Sequence, residues 1–281
     1  MGSARGSQGG RSPGDTGGKA KTWRAPVEFP TGVAPIDLGA GFAERAGALG
    51  IELEATEVDR LGRYLGLLLA VNKTMNLTAI KDPADAVERH LLDSLAVLQV
   101  LAGVEVAAGE PLRLIDIGSG GGLPGLPIAI CRGDAAVTLL DSTEKKCGFL
   151  KHAVGELGLE NVTVLHERAE TAARDRANKR EKFDVVTARA VGRLASLAEI
   201  TVPFAKVGGL CVLTKGQKAD EELAEAKAAL HLLHAAHAGT IETPTGRIVV
   251  LEKLRKTPGA YPREIGEPKR NPLGVDAGER G

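Results

Sequence analysis

Apolar residues are distributed in two ways along this chain. From Ile36 to Leu101 they recur at helical spacing: Leu49, Leu53, Val58, Leu61, Leu65, Leu68 and Leu69 fall near a 3.6-residue period. A second run, Ala84–Leu101, repeats this with Val87, Leu91, Leu92, Leu95 and Leu98. Asp82 and Pro83 before it suit a cap and a first helical position. Beyond residue 104 the pattern changes to short apolar runs alternating with amphipathic stretches. The runs Leu112–Ile117, Val137–Leu140, Val162–Leu165, Phe183–Thr187 and Leu210–Thr214 read as strands. Helices are predicted over 144–157, 167–180, 193–205 and 219–237. Ile241 and Arg247–Leu254, joined across Pro244-Thr-Gly246, read as a closing hairpin. Strands that alternate with helices predict a doubly wound, mostly parallel α/β sheet, and the hairpin adds an antiparallel strand at one end.

The first of these strands runs into a loop in which four of the five residues from Gly118 are glycine. A strand, a glycine turn and then a helix is how open α/β sheets hold nucleotide-like ligands, because glycine lets backbone approach the ligand and the new helix offers unpaired N–H groups. Two ligands fit. Gly120 to Gly125 matches the dinucleotide fingerprint G-x-G-x-x-G, which implies NAD(P) or FAD and an oxidoreductase. Asp116 with Gly118, Gly120 and Gly122 resembles instead the opening loop of S-adenosylmethionine methyltransferases, where an acid faces a cationic ligand. Asp141, ending the second strand, suits the two ribose hydroxyls of either cofactor, or an N-cap for the helix that follows.

The chain has 281 residues, 43% hydrophobic and only 3% aromatic, so the core is built from Ala, Val, Leu and Ile. Its formal charge is zero, which leaves a nucleic-acid partner to local basic patches. Cys131, Cys147 and Cys211 are scattered, and neither they nor the histidines have metal-ligand spacing. A reducing, cytoplasmic setting, no metal and no membrane partner are expected. The ends differ from the middle. Residues 1–35, rich in Gly, Ser, Arg and Pro, read as a disordered tail; 36–104 as a helical cap; 105–256 as the cofactor domain; 257–281 as an extended basic tail stiffened by Pro262, Pro268 and Pro272.

Several ordered motifs together resemble the glucose-inhibited division protein B family of bacterial 16S rRNA methyltransferases. They are Asn76-Leu-Thr-Ala-Ile, Glu88-Arg-His-Leu-Leu-Asp-Ser94, Asp116-Ile-Gly-Ser-Gly-Gly-Gly-Leu-Pro-Gly-Leu-Pro127, Leu140-Asp-Ser142, Thr187-Ala-Arg-Ala190 and Leu213-Thr-Lys-Gly216, with Tyr261-Pro-Arg and Pro268-Lys-Arg-Asn-Pro-Leu273 near the end. The resemblance implies a class I, Rossmann-like fold that transfers a methyl group from S-adenosylmethionine to N7 of a guanosine in 16S rRNA of the small ribosomal subunit. It implies cofactor contacts at Gly118 and Leu123, a ribose contact at Asp141, adenine-side contacts at Ala169 and Glu170, and a cofactor-site role for Arg189. No catalytic base is expected, since N7 has a lone pair and no proton to lose. Arg189 is alternatively a clamp for a phosphate or for guanine O6. Lys215, Arg263, Lys269 and Arg270 are the expected RNA contacts. His90 and Asp93, three apart on one helical face, read as a structural hydrogen-bonded pair between cap and sheet. The expected state is a monomer, and a non-catalytic rRNA-binding protein is the remaining alternative.

Overall fold

The structure is a computed structural model that describes residues 1–2, 28–189 and 192–274. Its sheet has seven strands: β1 Leu112–Ile117, β2 Ala135–Asp141, β3 Val162–His166, β4 Phe183–Arg189, β5 Ala205–Lys215, β6 Ala235–Glu242 and β7 Arg247–Lys253. They lie in the order β3-β2-β1-β4-β5-β7-β6. The first five run parallel, and β7 inserts antiparallel between β5 and β6. The chain order reverses between β1 and β4, and a ligand is held outside the carboxyl ends of the strands at such a switch point. No helix among the described residues is long and apolar enough to cross a membrane.

The cap is the long helix Ala55–Met75 followed by a helical run from Pro83 to Leu101. One buried apolar cluster joins Leu61, Leu65, Leu68, Leu91 and Leu95 of the cap to Leu114, Leu126 and Leu139 of the sheet domain. The cap therefore completes the sheet's core. Within the second run, Val87–Leu92 is wound as a π-helix, a local widening often found beside functional sites.

Three expected elements differ. The helix expected over 167–180 is only Ala169–Ala172. The Asp175 carboxylate takes the N–H groups of Ala177 and Asn178 and folds that stretch into turns. The helix expected over 219–237 ends at Leu233, because His234 adopts a left-handed φ of 60°. His237 then lies on β6, which starts at Ala235, so His231, His234 and His237 do not share a helix face. The turn expected at Gly208-Gly209 lies inside β5 as an irregularity in its pairing with β4.

Both expected tails are corrected where the structure describes them. Phe29 stacks on His152 with ring centroids 5.2 Å apart, and Ile36 donates its N–H to Gly62 at 3.0 Å. A Cβ on Gly66 would meet the carbonyl of Ala34, so the helix needs glycine there for the strand-like segment to cross it. Residues 28–35 are thus packed, and the rest of the predicted tail lies outside the described residues. At the other end, residues 257–274 are folded against the domain. Glu199 is fully buried on helix Leu194–Thr201 and receives the backbone N–H, Nε and Nη2 of Arg263 at 2.7–3.2 Å. A buried carboxylate needs such a partner. Arg180 is also buried and donates to the carbonyls of Thr257, Pro258 and Tyr261. Residues 275–281 of that tail lie outside the described residues.

Candidate cofactor site

Asp116 sits near the end of β1 with its side chain wholly buried. Its carboxylate accepts the Thr187 hydroxyl of β4 at 2.9 Å and the Gly125 N–H at 3.3 Å. Its backbone carbonyl accepts Ser119 Oγ at 2.9 Å. One acid thereby holds together β1, β4 and the exit of the glycine loop. Burial pushes its carboxyl up to about 6, against the three hydrogen bonds that favour the charged form. The acid expected to face a ligand directly instead braces the loop from beneath.

The loop has a packed side and an open side. Gly118, Gly120 and Gly122 have φ of 72°, 60° and 93°, a region where a Cβ is disfavoured. A Cβ on Gly121 would lie 2.7 Å from Leu68 Cδ1, and one on Gly122 would collide with Leu126. A Cβ on Gly118 would meet nothing within 4 Å, and one on Gly120 only the loop's own Gly118 carbonyl at 3.7 Å. Those two glycines border open space. Asp141, at the end of β2, fixes the same loop by accepting the Gly120 N–H at 2.9 Å, while its other oxygen accepts Thr143 N–H at 2.8 Å. The second bond is the turn-and-cap role foreseen for Asp141.

Tyr64 of the cap was not foreseen. It is fully buried, and its hydroxyl donates to the Gly121 carbonyl at 2.7 Å. Nothing in the local sequence marks it, because its partner is 57 residues away. Tyr64→Phe leaves that carbonyl unsatisfied and is expected to cost about 1–3 kcal/mol. Thermal unfolding should fall by at least about 2–4 °C; an unchanged midpoint would show that the bond carries no stability.

At the carboxyl end of β4, Arg189 has a buried Nη1 with no hydrogen-bond partner. Burial lowers its pKa, opposed by the charges of Asp93 and Tyr64. His90, on the π-helical turn, pairs Nε2 with Thr78 Oγ1 at 2.7 Å, and its Nδ1 is also buried and unpartnered. Burial and the nearby Arg189 charge hold its pKa down at about 4, so the ring is neutral at pH 7. Asp93 instead takes the N–H and hydroxyl of Thr245 in the β6–β7 turn. The expected pairing of His90 with Asp93 is therefore corrected: only Asp93 ties cap to hairpin. An open glycine cradle, two fixed acids and an orphaned guanidinium at the switch point form a site that fits a nucleoside carrying charged groups.

The sequence profile of the family described as rRNA small subunit methyltransferase G matches residues 57–247. This chain belongs to that family. It is 50% identical over 239 residues to the ribosomal RNA small subunit methyltransferase G of Sorangium cellulosum, a match that covers 85% of this chain and 97% of the relative. The protein of the same name from Streptococcus pyogenes is 42% identical over 229 residues, covering 80% and 94%. Among solved structures, a protein from Corynebacterium glutamicum shares the fold at a TM-score of 0.50 and 15% identity, covering 77% of this chain and 98% of that one. The chain is an S-adenosylmethionine-dependent methyltransferase, and the dinucleotide reading of Gly120–Gly125 gives way to it.

The structure spreads the remaining expected residues over different places. Leu123 is buried in the apolar core beneath the loop. Ala169 and Glu170 begin the helix after β3, but the Glu170 carboxylate is turned away to Arg168 at 2.9 Å and to the Gly266 N–H at 2.9 Å. As an adenine contact its side chain is corrected to an anchor for the C-terminal segment. Lys215 is not open to RNA. It is buried, pairs with Glu222 at 2.7 Å and donates to the Gly192 carbonyl. Arg263 is likewise committed to Glu199, at 2.7 Å. Lys269 and Arg270 are exposed on the short helix Glu267–Arg270, with Arg270 paired to Glu267 at 3.2 Å. In each corrected case a buried acid claims the cation, and sequence spacing does not reveal an acid that only the fold brings near.

Proposed function

We propose that this protein methylates N7 of a guanosine in 16S rRNA of the small ribosomal subunit. Bound in the glycine cradle, S-adenosylmethionine supplies a methyl group on a sulfonium centre. Gly118 and Gly120 give its backbone room. Asp141 stands where the ribose hydroxyls of a nucleoside are met, and the backbone at Ala169–Glu170 borders the same edge of the sheet. Asp116 adds negative potential below a cationic ligand.

The observation that carries the N7 reading is the protonation state of the groups around Arg189. His90 is neutral with a pKa near 4, too weak a base to take a proton at pH 7. Tyr64 keeps its proton, since burial raises its pKa well above the usual value, and its hydroxyl is committed to Gly121. Asp93 and Asp116 are both engaged in hydrogen bonds. An amino or hydroxyl acceptor would have to lose a proton here; guanine N7 would not. Arg189, with an unpartnered N–H at the strand end, suits guanine O6, the acceptor beside N7. The chain's own contribution is then to bind, align and exclude water.

Arg189→Lys keeps the charge and loses the planar fork. It is expected to lower kcat/KM for methyl transfer by about 10-fold or more, with unfolding unchanged within about 1 kcal/mol. The assay is label transfer from methyl-labelled S-adenosylmethionine to small subunits from a strain lacking this protein, followed by aniline cleavage, which reports N7-methylguanosine. Label that resists aniline cleavage would exclude N7.

A further inference from the structure

A second polar cavity, of about 500 Å³, opens at the opposite end of the sheet. Lys182 enters it just before β4, and Lys256 and Thr257 enter it just after β7, which is antiparallel to β4's neighbour β5. The seven residues of β4 therefore separate this cavity from Arg189 by roughly 20 Å. It lies outside the methyl-transfer site.

Its charge is unbalanced. Arg176, Arg180, Lys182 and Lys256 line it, against the carboxylate of Glu181. That carboxylate is already satisfied by Lys253 at 3.1 Å and by the Thr257 N–H at 3.2 Å. Arg180 is held rigidly by four backbone carbonyls, those of Ala173, Tyr261, Thr257 and Pro258. Among the described residues Arg176, Lys182 and Lys256 make no ion pair, whereas neighbouring cations do: Arg174 with Glu264, Lys179 with Asp175, Lys206 with Asp184. Thr257, which also lines the cavity, is 5% exposed and its hydroxyl has no hydrogen-bond partner. A buried hydroxyl left unpaired is costly and calls for an acceptor from outside the chain.

We propose that this cavity binds a phosphate group, and that the group is a backbone phosphodiester of the RNA substrate, far from the methylated nucleotide. The phosphate oxygens accept from Thr257 Oγ1 and meet the charges of Arg176, Lys182 and Lys256, while Arg180 adds positive potential from behind. A contact of this kind fixes register and carries no sequence information. The choice of RNA over a free phosphate rests on the rRNA reading above.

The test compares the full-length protein with the triple variant Arg176→Ala, Lys182→Ala, Lys256→Ala and with Thr257→Val. Calorimetry with inorganic pyrophosphate should show binding to the wild type, weakening by about 10-fold or more in the triple variant and about 3-fold in Thr257→Val. Thr257→Val should not lower the unfolding midpoint, as loss of a merely structural hydroxyl bond would. Binding to 16S rRNA over a series of salt concentrations should show a log–log slope shallower by about 2–3 in the triple variant, with S-adenosylmethionine affinity unchanged. Equal pyrophosphate affinity in all three proteins overturns the phosphate site. Weakened pyrophosphate binding with an identical RNA slope overturns RNA as the source and leaves a free phosphate compound. If the wild type binds no rRNA while pyrophosphate discriminates the variants, the rRNA reading fails and the phosphate site stands.

Discussion

Asp116→Asn is expected to make this protein more stable at pH 7 and a poorer binder of its cofactor. The side chain is fully buried and its carboxyl is raised to about 6. At pH 7 the folded state therefore carries a charge that its surroundings disfavour, by about 3 kcal/mol at 1.4 kcal/mol per tenfold shift in affinity for the proton. The sign follows from proton linkage. Between about pH 4 and pH 6 the folded protein binds a proton here and the unfolded chain does not, so this group's stabilising contribution is complete below pH 4, declines as pH rises to 6, and is gone above it. Asparagine has nearly the same shape, accepts from Gly125 with its oxygen and can donate to Thr187 with its amide. Urea unfolding against pH should lose a slope worth up to about 3 kcal/mol between pH 4 and 6 in the variant. Cofactor affinity should fall about 10-fold or more, since the negative potential beneath a cationic ligand is removed. Parallel stability curves for both proteins would show that Asp116 does not titrate in this range. Stability conceded at a binding site is a common trade.

Two alanine substitutions only seven residues apart are expected to fail for opposite reasons. Gly118→Ala places a methyl group where no protein atom lies within 4 Å, at a φ of 72°. The folded state should lose only the backbone strain, about 1–2 kcal/mol. Because the methyl fills the open side of the cradle, S-adenosylmethionine affinity should drop about 100-fold or more. Gly125→Ala drives its methyl into Leu139 and to 3.0 Å from Asp116 Oδ2, on the packed side of the loop. Overpacking there should cost about 3 kcal/mol or more, seen as a drop of at least about 6 °C in Tm. Calorimetric titration and thermal unfolding of both variants separate the two sides of the loop. Full cofactor affinity in Gly118→Ala would move the ligand away from this cradle.

Much of the fold was legible because its signals are local. The parallel strands lie where apolar runs end in glycine, aspartate or arginine, and the helix at 144–157 follows an Asp-Ser-Thr cap sequence. The glycine loop declared itself because left-handed backbone and close packing both demand glycine, so the requirement is written residue by residue. The C-terminal hairpin was visible from its proline-glycine turn, although β6 begins six residues before Ile241, where the helix is stopped by His234.

What the chain by itself determined, then, is the order of elements, the nucleoside-binding loop and the family; what only the tertiary structure decided is which charges remain available. Lys215 and Arg263 read as basic residues at a sheet edge and in a tail, yet Glu222 and Glu199 neutralise them. Arg189 reads as one more strand-end arginine, yet folding buries its Nη1 without a partner. Tyr64, Thr187 and Asp116 are silent in sequence and jointly hold the loop. Periodicity and turn chemistry act between neighbours along the chain, whereas desolvation and ion pairing depend on residues brought together from tens of positions apart.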